Sequence, residues 1–91
     1  MEGSRMSYAQ QKETWLAQNP LRQWRTGLGL SLDDVGKAVS AGYHTVYRWE
    51  KGMSRPSIMQ GNALEELTGI ANLQRKLEDW SRLRPVFGKE K

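Results

Sequence analysis

Apolar residues recur every three or four positions along most of the chain, which is the spacing of helices that bury one face. The stretch Leu73, Leu77 and Trp80 is one example. No segment shows the apolar–polar alternation of a half-buried strand, and no segment repeats. The pattern predicts an all-α fold: a compact bundle of four to five short helices around a central helix-turn-helix, with an extra helix at the N-terminus.

Capping and turn residues divide the chain into six predicted helices. Asn19-Pro20 starts one of them, because asparagine is a strong N-cap and proline at the first helical position gives up no hydrogen bond. The segments from Ser31 to Asp34 and from Ser57 to Gln60 both have the pattern of a capping box. The predicted helices cover residues 7–18, 20–27, 31–39, 43–51, 57–68 and 71–83.

The same spacing predicts which side chains face the core. The predicted inward residues are Leu21, Trp24, Leu28, Val35, Ala38, Val39, Val46, Trp49, Ile58, Leu64 and Leu67. Leu73, Leu77 and Trp80 are the candidate surface for a second copy of the chain. For Trp15, as for Trp80, core packing and a dimer interface are both open, because spare aromatic residues on flanking helices often meet a partner.

Composition and charge limit the classes of function. The chain has 91 residues, with 14 lysines and arginines against 10 acidic residues, for a net charge of +4. It has no cysteine and one histidine, which excludes disulfides, cysteine zinc sites and sites with two histidine ligands. We therefore expect no metal and no cofactor. A lone histidine without a nucleophile or acid partner, and the lack of a phosphate-binding glycine loop, also argue against an enzyme with a small-molecule substrate.

The location of the protein is also limited by its sequence. No apolar run approaches the roughly 20 residues of a membrane span, and the N-terminus lacks the apolar core of a signal peptide. We therefore expect a cytoplasmic protein without a membrane partner. A basic balance, with a pI near 9.7, suits a polyanionic partner.

Two of the predicted helices, 31–39 and 43–51, are joined by the three-residue turn Ser40-Ala41-Gly42, which is the spacing of a helix-turn-helix. Residues 30–52 read LSLDDVGKAVSAGYHTVYRWEKG, with Pro56 shortly after. This stretch resembles the phage repressor/Cro-like, or Xre, family of helix-turn-helix domains, most clearly in TVYRWEKG at 45–52. The resemblance covers about residues 20–69 and implies DNA binding through helix 43–51.

The residues of helix 43–51 agree with such a role. With Val46 and Trp49 inward, the outward residues are cationic, aromatic or hydrogen-bonding, as a helix in the major groove requires. The predicted base contacts are Tyr43, His44, Tyr47 and Arg48. Arg48 is the candidate for bidentate recognition of a guanine. The predicted phosphate contacts are Ser31, Leu32, Gly42, Thr45, Lys51 and Arg55.

The resemblance also implies a structural ion pair between Arg25 and Glu50, which turns the acidic side chain away from DNA. The sequence departs from the family pattern at three positions. Leu32 stands where the family often has glutamine, Ser40 where it usually has a glycine with positive φ, and Gly36 where it usually has alanine at the close approach of two helices.

These observations predict three regions and one main function. Residues 1–18 form a partly disordered arm with an extra helix, residues 19–83 form the Xre-like domain, and residues 84–91 form a basic tail. We expect a transcriptional regulator, a repressor by the simplest mechanism, that binds a palindromic operator in double-stranded DNA as a homodimer on the nucleoid. The alternative is a protein-interaction module with the same fold, such as a phage-encoded inhibitor, an antitoxin or an assembly factor.

Overall fold

Six α-helices and no strand make up residues 6–86, the part of the chain that the computed structural model describes. The helices are α1 (Tyr8–Ala17), α2 (Pro20–Gly27), α3 (Leu32–Ala38), α4 (Tyr43–Glu50), α5 (Ile58–Thr68) and α6 (Leu73–Arg82). The predicted all-α class is confirmed over these residues, and every predicted helix is present. The predictions for residues 1–5 and 87–91, part of the disordered arm and most of the basic tail, lie outside the described residues.

Local capping explains where most of the helices begin. Ser7, Ser31 and Ser57 each form a complete capping box, in which the serine hydroxyl and the side chain three residues later exchange hydrogen bonds with the backbone. Asn19 caps α2, with its side chain accepting a hydrogen bond from the Arg22 backbone N–H at 2.9 Å. Because these signals are local in sequence, they mark the helix starts without reference to any tertiary contact.

The main core contains side chains from each helix from α2 through α6. Its buried members are Leu21, Val35, Val39, Val46, Trp49, Leu64, Leu73 and Leu77, with Trp24 and Leu32 among the partly buried residues packed against it. Helix α3 packs against α4, while α6 packs against both α2 and α5. A second buried cluster holds Trp15, Leu16 and Trp80, and it attaches α1 to the bundle.

The apolar stripe of α6, which was the candidate dimer surface, is buried within a single chain. Leu73 is fully buried, and Leu77 and Trp80 are about as inaccessible, at 5% and 6% exposure. The reason is that α6 lies across α2 and α5, so its apolar stripe completes the core of one chain. These side chains are not available to a second copy, and the core-packing alternative for Trp15 and Trp80 is the one that the structure has.

Four predicted core residues are instead exposed, namely Leu28, Ala38, Ile58 and Leu67. Leu28 lies at the C-terminal end of α2 and is 61% exposed, while Ile58 in α5 is 78% exposed and Leu67 is 38% exposed. In α5 the buried positions are Gly61 and Leu64. A Cβ at Gly61 would overlap the side chain of Gln74, so the glycine allows α5 and α6 to approach closely. Ile58 is therefore on the side of α5 that solvent reaches.

Candidate nucleic-acid interface

Helix α4 exposes the side chains that the sequence predicted as base contacts. Tyr43, His44, Tyr47 and Arg48 are all exposed. The rings of Tyr43 and His44 lie against each other, with centroids 4.1 Å apart. Arg48 has no hydrogen-bond or ion-pair partner among the described residues, so its guanidinium is available to a ligand. That these residues touch bases stays a prediction.

The opposite face of α4 is buried, and it contains the one acidic residue of the helix. Val46 is fully buried, Trp49 is 2% exposed and Glu50 is 4% exposed. The Arg25 guanidinium donates two hydrogen bonds to the Glu50 carboxylate, from Nε at 2.6 Å and from Nη2 at 2.9 Å. Its Nη1 donates to the Leu30 carbonyl at 2.8 Å. The predicted ion pair is therefore present, in the bidentate form that an arginine fork favours.

The ion pair has an electrostatic consequence for the exposed face. The hydrogen bonds that Arg25 donates to Glu50 raise the pKa of Arg25 above its ordinary value, although desolvation acts in the opposite direction. A buried pair of this kind adds little net stability, but it leaves no uncompensated charge behind α4. The exposed surface of α4 consequently carries cations and aromatic rings without an opposing carboxylate of its own.

The N-terminus of α4 lacks a side-chain cap. Its N-cap is Gly42, which has no side chain to donate or accept, whereas α1, α2, α3 and α5 each have a capping side chain. The carbonyl of Gly42 accepts hydrogen bonds from the Thr45 and Val46 N–H groups. The N–H groups of Tyr43 and His44 have no partner among the described residues. Unpaired N–H groups at a helix N-terminus attract anions.

The turn between α3 and α4 is tight, and two residues make it possible. Ser40 has a φ of 57°, the left-handed conformation that the resemblance implied for this position. A Cβ on Gly36 would lie 2.5 Å from the carbonyl oxygen of Ala41, which is closer than real Cβ atoms come. Gly36 accepts the Ala41 N–H at 2.8 Å through its own carbonyl. Glycine at position 36 therefore lets the turn fold back onto α3.

The α3 N-terminus offers less to a phosphate than the sequence suggested. The Ser31 N–H donates to the Asp34 carboxylate at 2.8 Å, so it is already used within the capping box. This hydrogen bond is the largest of the effects that lower the pKa of the Asp34 carboxyl group. Leu32 is partly buried against the core, and the only hydrogen-bond donor it can offer a phosphate is its backbone N–H. The backbone N–H of Ser31 is thus already paired with the Asp34 carboxylate.

Of the other predicted phosphate contacts, three lie at the two ends of α4, whereas Arg55 lies next to α6. Gly42 and Thr45 lie at the start of α4, and Lys51 follows its end, with Nζ 5.4 Å from the centre of the Tyr47 ring. Arg55 points elsewhere, because it forms an ion pair with Glu78 of α6 at 3.5 Å. Arg55 therefore has an acidic neighbour that the sequence did not reveal.

Residues outside the helix-turn-helix fix the C-terminal end of α4, and sequence reasoning missed them. Asn19 is fully buried, and its side-chain amide donates to the carbonyls of Trp49 and Glu50 at 3.3 and 3.4 Å. The same side chain that caps α2 thus also satisfies carbonyls at the end of α4. Its placement next to proline signalled the cap but gave no indication of the second contact.

A pair of tryptophans supports the loop that follows α4. The rings of Trp15 and Trp80 are stacked, with centroids 4.1 Å apart and planes 2° from parallel. Each indole N–H donates to the other residue's backbone carbonyl, at 2.8 and 2.7 Å. Gly52, with a φ of 72°, packs against both rings, and Arg84 donates a hydrogen bond to the Gly52 carbonyl while lying over the Trp15 ring.

Comparison with models of protein families, with curated proteins and with solved structures finds no match to this chain. Among residues 6–86, no helix is long and apolar enough to cross a membrane. The same residues contain no group of three or more histidine, aspartate or glutamate side chains placed to hold a metal ion.

Proposed function

We propose that this protein is a sequence-specific DNA-binding regulator that places α4 in the major groove. The observation that carries the proposal is the division of α4 into two faces. Tyr43, His44, Tyr47 and Arg48 are exposed, whereas Glu50 is buried and neutralised by Arg25. A face of cations, aromatic rings and hydrogen-bonding groups suits base edges and the thymine methyl group.

In the proposed complex, Arg48 recognises a guanine through its O6 and N7 atoms, and the unpaired N–H groups at the start of α4 face a phosphate. Lys51 binds the backbone at the other end of the helix. By occupying a promoter, such a protein represses transcription. It acts on the nucleoid, in the cytoplasm of a prokaryotic host, and requires no cofactor.

In vitro selection from random duplex DNA at physiological salt tests this function. We expect an enriched palindrome whose half-sites are about 34 Å apart, one helical turn, because a single eight-residue helix reads few base pairs. Arg48→Ala should weaken binding to the selected site by about 1–3 kcal/mol and relax one base position. Equal weakening on all sequences would instead make Arg48 a phosphate contact. If no sequence is enriched, the proposal of a sequence-specific regulator is refuted.

The proposed homodimer needs a surface other than the α6 stripe. The most exposed large apolar side chains in the described chain are Ile58 and Met59, at 78% and 82% exposure. They lie at the start of α5, and Met59 lines a cleft of about 410 Å³ together with Val39 and Ala63. We expect Ile58→Asp with Met59→Asp to abolish dimers in sedimentation experiments on operator DNA, without unfolding the chain. Dimers that persist would exclude this surface.

The same patch favours the second candidate function, a module that binds another protein. Two adjacent apolar side chains this exposed are typical of a recognition surface. The two functions use different surfaces: partner binding uses the apolar patch at the start of α5, and DNA binding uses the exposed face of α4. If the chain is an interaction module, the α5 double variant abolishes partner binding and Arg48→Ala leaves it unchanged. If it is a regulator, Arg48→Ala weakens binding to the selected site by about 1–3 kcal/mol and relaxes one base position.

A further inference from the structure

Two adjoining clefts flank the C-terminal half of α4 on the side of Tyr47 and Lys51. The first, of about 180 Å³, is lined by Arg22, Arg25, Leu32, Tyr47, Glu50 and Lys51. The second, of about 310 Å³, is lined by Lys12, Leu16, Tyr47, Lys51, Met53 and Arg84. Because both clefts include Tyr47 and Lys51, they lie side by side between α2 and α1, and we call the two clefts together the α1–α4 groove.

The charge along the α1–α4 groove is of one sign. Four lining cations, Arg22, Lys51, Lys12 and Arg84, have no acidic partner among the described residues. The one acid in the groove, Glu50, is already paired with Arg25 at 2.6 Å. A row of uncompensated cations attracts a linear polyanion more than a single small anion.

Lys12 reaches this groove only because α1 is attached to the bundle. Trp15 and Leu16 are buried, and Lys12 lies one helical turn before Leu16 on the same side of α1. The stacking of Trp15 on Trp80 therefore places a cation of the extra N-terminal helix beside the end of α4. Arg84 is held next to it by its contacts with Trp15 and Gly52.

On the basis of the proposed function, we infer that the α1–α4 groove binds the DNA backbone beside the major groove that α4 occupies, with Lys12 and Arg84 as phosphate contacts. Tyr47 belongs both to the exposed face of α4 and to the groove, so a strand that passes α4 also passes the groove. The extra helix thus lengthens the phosphate footprint beyond the helix-turn-helix, and the positions it adds are independent of sequence.

The test is the salt dependence of duplex binding by the full chain, measured by fluorescence anisotropy. Loss of one phosphate contact should reduce the slope of log K against log salt by about 0.9, which corresponds to roughly eightfold weaker binding near 0.1 M salt. We expect this change for Lys12→Ala, equally on specific and random duplexes. Lys12→Arg should retain the wild-type slope. Lys12→Ala with Lys51→Ala should reduce the slope by about twice as much.

Lys76→Ala is the matched control, because Lys76 is an exposed lysine of α6 that lines neither cleft. Its slope should equal that of the wild type. If Lys51→Ala lowers the slope but Lys12→Ala does not, the groove inference is overturned and the regulator stands. The inference also falls if Lys76→Ala lowers the slope as much as Lys12→Ala. If the wild-type chain binds no duplex at low salt, both the proposed DNA-binding function and the groove inference are overturned.

Discussion

Replacing Trp15 tests whether α1 is part of the cooperative fold. The side chain is 3% exposed, stacks on Trp80 at 4.1 Å and donates a 2.8 Å hydrogen bond to the Trp80 carbonyl. A tryptophan buries about 150–250 Å², which at about 25 cal/mol per Å² gives roughly 4–6 kcal/mol as an upper bound. Because measured truncations of buried aromatic residues cost about 3–5 kcal/mol, we expect that range for Trp15→Ala.

A loss of this size takes a large part of the 5–15 kcal/mol that stabilises a typical domain, so a milder variant is needed as well. Trp15→Phe keeps an aromatic ring but removes the indole N–H and its hydrogen bond to the Trp80 carbonyl, which still accepts the Leu83 N–H at 3.0 Å. We expect the loss of this hydrogen bond to cost about 0.5–1.5 kcal/mol, the net contribution of a typical hydrogen bond. Leu28→Ala is the control, because Leu28 is 61% exposed and should change stability by less than about 0.5 kcal/mol.

The measurement is urea unfolding followed by far-ultraviolet circular dichroism, since fluorescence would change with the number of tryptophans. If Trp15→Ala costs less than about 1 kcal/mol, α1 does not dock on α6 in solution and the reasoning is refuted. If Trp15→Phe matches the wild type, the indole hydrogen bond contributes nothing. In the first case the placement of Lys12 in the α1–α4 groove would lose its support.

Three further predictions concern the turn and the caps. Gly36→Ala should destabilise the fold by about 1–3 kcal/mol in urea unfolding, because its Cβ would meet the Ala41 carbonyl; the control Gly27→Ala, with open space around its Cβ, should not. Ser40→Gly should raise stability by about 1 kcal/mol, because serine at a φ of 57° is strained; a lower melting temperature would contradict this. The pKa of Asp34 is lowered by hydrogen bonds from Ser31, so its stabilising effect is complete above its ordinary pKa of 3.8 and is lost as the pH falls through the lower folded-state value. The stability difference between the wild type and Asp34→Ala should therefore shrink in strong acid, and a difference that is constant with pH would contradict the assignment.

The helix boundaries could be predicted from sequence because their signals are local. Ser31, Ser57 and Asn19 each act on a backbone N–H three residues away, and the structure has all three caps. The pair of Arg25 and Glu50 was available only through the resemblance. No local pattern links residues 25 positions apart, although the structure joins them at 2.6 Å.

The packing of the flanking helices could not be predicted in the same way. The apolar stripe of α6 looks the same whether it meets the chain's own core or a second copy, so periodicity could not decide between them. In α5, counting apolar residues placed Ile58 inward, but the close contact with α6 is made by Gly61. A residue without a side chain has no weight in a hydrophobic pattern, although it can determine which face of a helix is buried.

The contact between Trp15 and Trp80 also constrains the order of events during synthesis. The two residues are 65 positions apart, and a ribosome that adds about 5–20 residues per second needs about 3–13 s to make that segment. Helical domains fold in microseconds to milliseconds, so α1 exists for most of this time without the ring it stacks on. Helix α6, which is synthesised long after α1, is therefore the helix that docks it, and nascent chains that end before Trp80 leave both α1 and the loop after α4 without their support.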